Sequence, residues 1–234
     1  MRHDESENFD RPGEQVAAAT VLVEAGDARL TGDLATPGAA AGTVLFAHGS
    51  GSSRHSPRNR AVAEGLNRAG LGTLLLDLLT DEEERADAYS AALRFDIGLL
   101  SGRLVAAIDW LDNSGPPGVP LGLFGASTGA AAALDAAAAR PGRVSAVVSR
   151  GGRPDLAASA LGQARPPVLL VVGGRDREVA QLNREAARQL GGTSEVRTVP
   201  GASHLFEEPG ALEQVTELAA SWFRHHLRPA GLGE

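Results

Sequence analysis

The chain has 234 residues, 43% of them hydrophobic and 4% aromatic, with a formal net charge of −7 at neutral pH. That length supports the core of one large α/β domain, while the acidic balance and the scarcity of aromatic stacking groups argue against a nucleic-acid or anionic-membrane binder. The sequence contains no cysteine, which removes disulfides, iron–sulfur clusters, thiolate metal sites and a cysteine nucleophile together.

In chain order, residues 1–15 are polar, broken at Pro12-Gly13 and without an apolar signal-peptide core. They read as a flexible tail before a single domain over residues 16–230. No run approaches the roughly 20 apolar residues of a membrane span, so the expectation is a soluble cytoplasmic protein. Thr20–Val23 and Ala28–Leu34 read as short strands around a Gly26-Asp27 hairpin signal. From Gly42 the rhythm becomes strand, turn, helix. The strand candidates Thr43–Ala47, Thr73–Leu76, Leu121–Phe124, Ala146–Val148 and Val168–Val172 are nearly continuous apolar runs, as in a parallel sheet covered on both faces. The more polar Glu195–Val199 fits an edge strand. Helices are expected over about 58–69, 88–112, 127–139, 178–190 and 211–227. In the second of these, Leu93, Ile97, Leu100, Leu104, Ile108 and Leu111 make one apolar stripe. Pro116-Pro117-Gly118 is a helix stop. The whole predicts an α/β fold, a mostly parallel doubly wound sheet flanked by helices.

The most informative segment is Gly125-Ala126-Ser127-Thr128-Gly129, set between an apolar run and the alanine-rich stretch Ala130–Arg140. Small residues around a serine at a strand-to-helix turn form the pattern of a nucleophile elbow. A glycine-rich chain of this length supplies roughly 0.2 such matches by chance, so the pentapeptide needs partners. In a doubly wound sheet they belong at the carboxyl ends of the strands. Of six histidines, only His204, in Pro200-Gly201-Ala202-Ser203-His204, lies on a loop downstream of Ser127. Asp176 ends the run Val171-Val172-Gly173-Gly174-Arg175-Asp176 and suits either an acid that orients His204 or an N-cap of the following helix. Glu178 is the weaker candidate acid because it falls inside that helix. The chain order Ser127, Asp176, His204 is that of the α/β-hydrolases. For an oxyanion hole the candidates are the Thr128 N–H and, from the turn Phe46-Ala47-His48-Gly49-Ser50-Gly51-Ser52-Ser53, the Ser50 N–H, with Gly51 as runner-up. His48 reads as a structural hydrogen-bonding residue rather than a base.

On the motifs Ala47-His48-Gly49-Ser50-Gly51, Gly125-Ala126-Ser127-Thr128-Gly129, Gly173-Gly174-Arg175-Asp176 and Gly201-Ala202-Ser203-His204, the chain resembles the α/β-hydrolase superfamily, nearest to its dienelactone-hydrolase-like group. The resemblance covers about residues 20–228. It implies a serine hydrolase cleaving a small carboxylic ester, lactone or thioester through an acyl-enzyme, with no metal or organic cofactor and a small-molecule partner. Dienelactone hydrolases proper use a cysteine where this chain has Ser127, so the resemblance implies ancestry rather than dienelactone activity. Transfer of the acyl group to another acceptor, or a non-catalytic ligand-binding scaffold, are the alternatives. Arg150 to Pro167 leaves room for one short helix at most, which predicts a site without a sizeable lid. Arg54, Arg150 and Arg153 are candidates for binding a substrate carboxylate, against the competing reading that they pair with the chain's own acids.

Overall fold

The Gly26-Asp27 signal joins β1 (Val16–Ala25) to β2 (Ala28–Pro37) as an antiparallel hairpin. Gly26 takes φ +68°, which costs a residue without a Cβ little. The computed structural model describes residues 16–115 and 118–227. The expected tail, the Pro116-Pro117 helix stop and the end of the expected domain at 228–230 lie outside the described residues.

From residue 43 strand and helix alternate: β3 (Thr43–Ala47), α1 (Pro57–Arg68), β4 (Gly72–Leu76), α2 (Asp81–Ser90), α3 (Ile97–Ser114), β5 (Leu121–Ala126), α4 (Thr128–Ala139), β6 (Val144–Arg150), α5 (Ala158–Leu161), β7 (Val168–Gly173), α6 (Arg177–Ala187), β8 (Ser194–Val199) and α7 (Ala211–His226). The strands form one sheet in the order β1-β2-β4-β3-β5-β6-β7-β8. Neighbours from β4 to β8 run parallel, and β2 meets β4 antiparallel. The polar β8 lies at the edge, as its sequence predicts.

The apolar runs are two-sided because both faces are covered. Leu45, Leu123, Val147 and Leu170 belong to the core on the α3 and α4 side. Val44, Phe46, Phe124 and Val148 belong to the core on the α1 and α7 side. Each fully buried side chain of this size stabilises the fold by about 1.5–3 kcal/mol.

The position of the site follows from strand order. After β3 the chain moves to β4 on one side, and β5 then lies on the other side of β3. Such a reversal opens a crevice at the carboxyl ends of the two strands. Ala47 pairs with Gly125 across it, so the turn after β3 begins beside the strand that leads to Ser127.

One element differs from expectation. The helix expected over 88–112 is two helices, α2 and α3, separated by a short 3-10 turn at Leu93–Phe95. Ala91 takes the left-handed conformation (φ 54°). The buried Asp87 carboxylate then accepts the Leu93 and Arg94 N–H groups at 2.7 and 3.3 Å, and Asp96 caps α3 through the Leu99 N–H at 2.9 Å. Local side-chain acceptors thus out-compete the helix ladder, and the apolar stripe runs from the 3-10 turn into α3. Between β6 and β7 the chain holds only a 3-10 turn (Pro154–Ala157) and the four-residue α5, so no sizeable lid lies between these strands.

Candidate active site

Ser127 stands between β5 and α4 at φ 51°, ψ −121°, a region that costs a non-glycine residue of order 1–3 kcal/mol and persists only where the surroundings impose it. Here they do. The Ser127 N–H donates to the Arg150 carbonyl at 3.2 Å, and the Ser127 carbonyl accepts from Ala130 and Arg153, each at 3.1 Å. The flanking glycines permit the approach: a Cβ on Gly125 would collide with the backbone of Ala130, and one on Gly129 with the carbonyls of Ala47 and His48. The elbow is therefore wedged between β6 and the turn after β3. At the first helical position the Thr128 N–H has no backbone acceptor among the described residues.

Asp176 and His204 meet. His204 Nδ1 lies 2.7 Å from Asp176 Oδ2, the imidazole side chain 40% exposed and the carboxylate 16%. In the tautomer that donates from Nδ1 to this carboxylate, Nε2 is left as an acceptor. Asp176 Oδ1 accepts the Val179 N–H at 3.3 Å, so this residue both caps α6 and holds the histidine. The two readings of Asp176 describe its two oxygens. Glu178 lies in the first turn of α6 and not at the imidazole. The loop that carries His204 is tied by its own acid: both oxygens of Glu208 accept the Ser203 N–H at 3.0 Å. That bond holds the Glu208 carboxyl below its ordinary range. The Arg150 carbonyl accepts the Ser127 N–H, and the Cβ position of the next residue, Gly151, is 3.5 Å from His204 Cε1. Among the described hydrogen bonds of the ring, Asp176 is the partner and Ser127 is not. Such contacts commonly close only when substrate binds.

The turn after β3 faces the same elbow. The Ser50 N–H donates to Thr128 Oγ1 at 2.9 Å, which joins the two expected oxyanion donors. Gly51 takes φ +68°, and the Ser52 N–H donates to the Gly49 carbonyl at 3.2 Å, which closes the turn. A cavity of about 230 Å³ opens off this turn, with residues 48–53 on one wall and Leu79, Asp87, Arg94 and Leu100 on the other. Arg94 is held by Asp87, whose carboxylate accepts from Nε and whose carbonyl accepts from Nη2 at 2.7 Å, while Nη1 reaches to 3.6 Å of the Gly51 Cβ position.

The three candidate arginines are differently placed. Arg54 is ion-paired with Asp77 and lies 3.6 Å from Asp33. Arg153 makes a two-pronged pair with Asp155 at 2.8 and 2.7 Å. Arg150 has no acidic partner among the described residues. Its guanidinium lies 6.0 Å from the Phe124 ring centroid and its buried Nη1 has no acceptor. Burial, with a smaller contribution from nearby Arg58, pulls its pKa down to about 10, so it stays charged at neutral pH.

Two functional candidates escape a reading of the sequence. Arg94 is hidden by the assumption of one long helix. Asp77, just past the end of β4 and buried at 7% exposure, holds Arg54 and occupies the kind of strand-end position where site residues collect.

Comparison with known proteins agrees with this fold. The model of the dienelactone hydrolase family matches residues 32–227. The chain is 57% identical to a dienelactone hydrolase from Anabaena variabilis, whose crystal structure matches with a TM-score of 0.89 over 92% of this chain and 100% of that one. It is 55% identical over 208 residues to a Mycobacterium tuberculosis protein provisionally named a phosphoribosyl transferase. That match covers 88% of this chain and 46% of the relative, so the chain spans about half the length of the curated relatives it matches. Est1E from Butyrivibrio proteoclasticus, 16% identical, shares the fold with a TM-score of 0.75 over 89% of this chain and 98% of its own.

Proposed function

The chain belongs to the dienelactone hydrolase family and has its α/β-hydrolase fold, and from that premise we propose that it hydrolyses a small carboxylic ester, lactone or thioester through an acyl-enzyme on Ser127. The observation that carries this reading is the 2.7 Å bond from His204 to Asp176 beside the strained Ser127 elbow. His204 Nε2 takes the Ser127 hydroxyl proton as Oγ bonds to the substrate carbonyl carbon, and the carbonyl electron pair moves to its oxygen. The tetrahedral species collapses, the carbon–oxygen or carbon–sulfur bond to the leaving group breaks, and the imidazolium returns the proton to that group. Water, deprotonated by the same nitrogen, then cleaves the acyl-serine bond and Ser127 regains its proton. Asp176 keeps His204 in the required tautomer and stabilises its cation.

The oxyanion donors are the Thr128 and Ser50 N–H groups, each such donor being worth about 2.7–4 kcal/mol to the transition state. Because Thr128 Oγ1 accepts the Ser50 N–H, the hydroxyl must turn aside or share that hydrogen as the oxyanion forms. The cavity beside Arg94 takes the part of the ester next to the oxyanion. Of the three arginines, Arg150 is the one left for a substrate carboxylate, since Arg54 and Arg153 hold the chain's own acids.

The phosphoribosyl transferase name belongs to relatives about twice as long as the matched segment, and no residue of the site described above favours that chemistry over ester hydrolysis. The deciding experiment is Ser127→Ala. It abolishes hydrolysis of p-nitrophenyl acetate and labelling by a fluorophosphonate while the fold persists; retained labelling sinks the assignment. Added alcohols or amines that divert the acyl group would assign an acyltransferase instead.

A further inference from the structure

We propose that His48 is the positioning residue of the oxyanion hole: it orients the Ser50 N–H by holding the Gly49 carbonyl, in a frame that Asp77 and Leu78 complete. The inference rests on the acyl-enzyme reading given above.

His48 directly follows β3 and is buried at 6% exposure. Both ring nitrogens are engaged, Nε2 with the Leu78 N–H and Nδ1 with the Gly49 carbonyl oxygen, each at 3.0 Å. A backbone N–H only donates, so Nε2 accepts and the ring is neutral with its hydrogen on Nδ1. That hydrogen goes to the Gly49 carbonyl.

The Gly49 carbonyl and the Ser50 N–H belong to one planar trans peptide, so they point in opposite directions. A donor that fixes the carbonyl toward the interior therefore turns the Ser50 N–H outward, toward the nucleophile elbow, where it meets Thr128 Oγ1. The carbonyl also accepts the Ser52 N–H at 3.2 Å, but that bond belongs to the turn and moves with it. The bond to His48 ties the turn to the rest of the molecule, because Leu78 follows β4, the neighbouring strand of the sheet. The other end of the turn is fixed to the same segment. The Arg54 N–H donates to Asp77 Oδ1 at 2.7 Å, and the Arg54 guanidinium pairs with Asp77 Oδ2. The oxyanion turn is thus pinned at residues 48 and 54 onto residues 77 and 78, which makes Arg54 a strut of this frame. Catalysis needs such donors already in place when charge develops, and a misplacement of about 1 Å costs about 100-fold.

Two substitutions separate the two ring nitrogens. His48→Asn keeps a donor near the Nδ1 position and loses the acceptor for Leu78. His48→Gln keeps an acceptor near the Nε2 position and loses the donor for Gly49. Steady-state kinetics on p-nitrophenyl acetate should show kcat falling about 100-fold in His48→Gln and about tenfold or less in His48→Asn, with KM little changed in both. Inhibition by a trifluoromethyl ketone, which forms the tetrahedral adduct, should weaken in the same order. Equal losses in the two variants, or losses in KM rather than kcat, overturn the proposal. If either variant fails to fold, nitrogen-15 NMR of the wild-type ring decides: a hydrogen on Nδ1 supports the assignment and one on Nε2 overturns it. A wild-type enzyme that hydrolyses no ester would instead overturn the acyl-enzyme reading and leave this tautomer result standing.

Discussion

Asp176 does two jobs with two oxygens, and one substitution separates them. Asparagine caps helices about as well as aspartate, but its amide cannot hold the His204 Nδ1–H as a carboxylate does. Asp176→Asn is therefore expected to leave the melting temperature nearly unchanged while lowering kcat by about 10³–10⁴-fold; an equal effect on α6 and on catalysis would mean that the cap matters more than the histidine. Ser127 carries strain as well as the proposed chemistry. With φ at 51°, Ser127→Gly should be more stable than Ser127→Ala by about 1 kcal/mol in urea unfolding, both being inactive. His48 adds a pH dependence to stability. Burial above all lowers its pKa below the ordinary 6.5 in the folded state. Below that value the unfolded chain binds the proton more readily, so stability is full above about pH 6.5 and is lost as pH falls toward the folded value. His48→Asn should flatten this slope between about pH 7.5 and 5.5 in urea titrations; an unchanged slope would remove His48 as its source. For Arg150, Arg150→Met should raise KM for a carboxylate-bearing ester about tenfold more than for its neutral analogue, and equal effects would end its candidacy as a substrate contact.

Among the elements, the break between α2 and α3 matters most for function. It turns Arg94 toward the cavity beside Gly51 and lets Asp87 hold the guanidinium. Ala91, which makes the break, sits in the left-handed region that glycine tolerates better. Ala91→Gly is thus expected to stabilise the protein by about 0.5–1 kcal/mol and to raise the melting temperature by a few degrees, with activity kept. A destabilised variant would mean that Ala91 contributes more by packing than it costs in strain. The same element shows the limit of reading periodicity. The stripe from Leu93 to Leu111 keeps helical spacing from the 3-10 turn into α3 because both face one core, with Leu100, Leu104 and Ile108 buried and Leu93 and Ile97 packed against it. The pattern reports which face is buried, not whether the backbone ladder is continuous.

Across the whole molecule, strand order makes the site. The reversal between β3 and β5 sets the turn after β3 beside the Ser127 elbow, and the parallel strands β7 and β8 bring Asp176 and His204 to the same rim. With only a 3-10 turn and α5 between β6 and β7, nothing there has to open at an oil–water interface. Hydrolysis of a short-chain ester should follow a hyperbola through its solubility limit, and a jump in rate on emulsification would contradict the lidless reading.

The sequence by itself determined the alternation of apolar runs and helices, and it placed Ser127, Asp176 and His204 at strand ends in the chain order of the family. Those features are local: a strained turn needs glycine beside it, and a parallel strand buried on both faces is apolar throughout. The tertiary structure alone decided which polar groups meet. Arg54 faces Asp77 across 23 positions, the Leu78 N–H finds His48 across 30, and the Ser50 N–H reaches Thr128 across 78. No spacing rule encodes such pairs, because strand order and register bring them together. The directed hydrogen bonds that hold the turn after β3 arise only once the sheet has assembled.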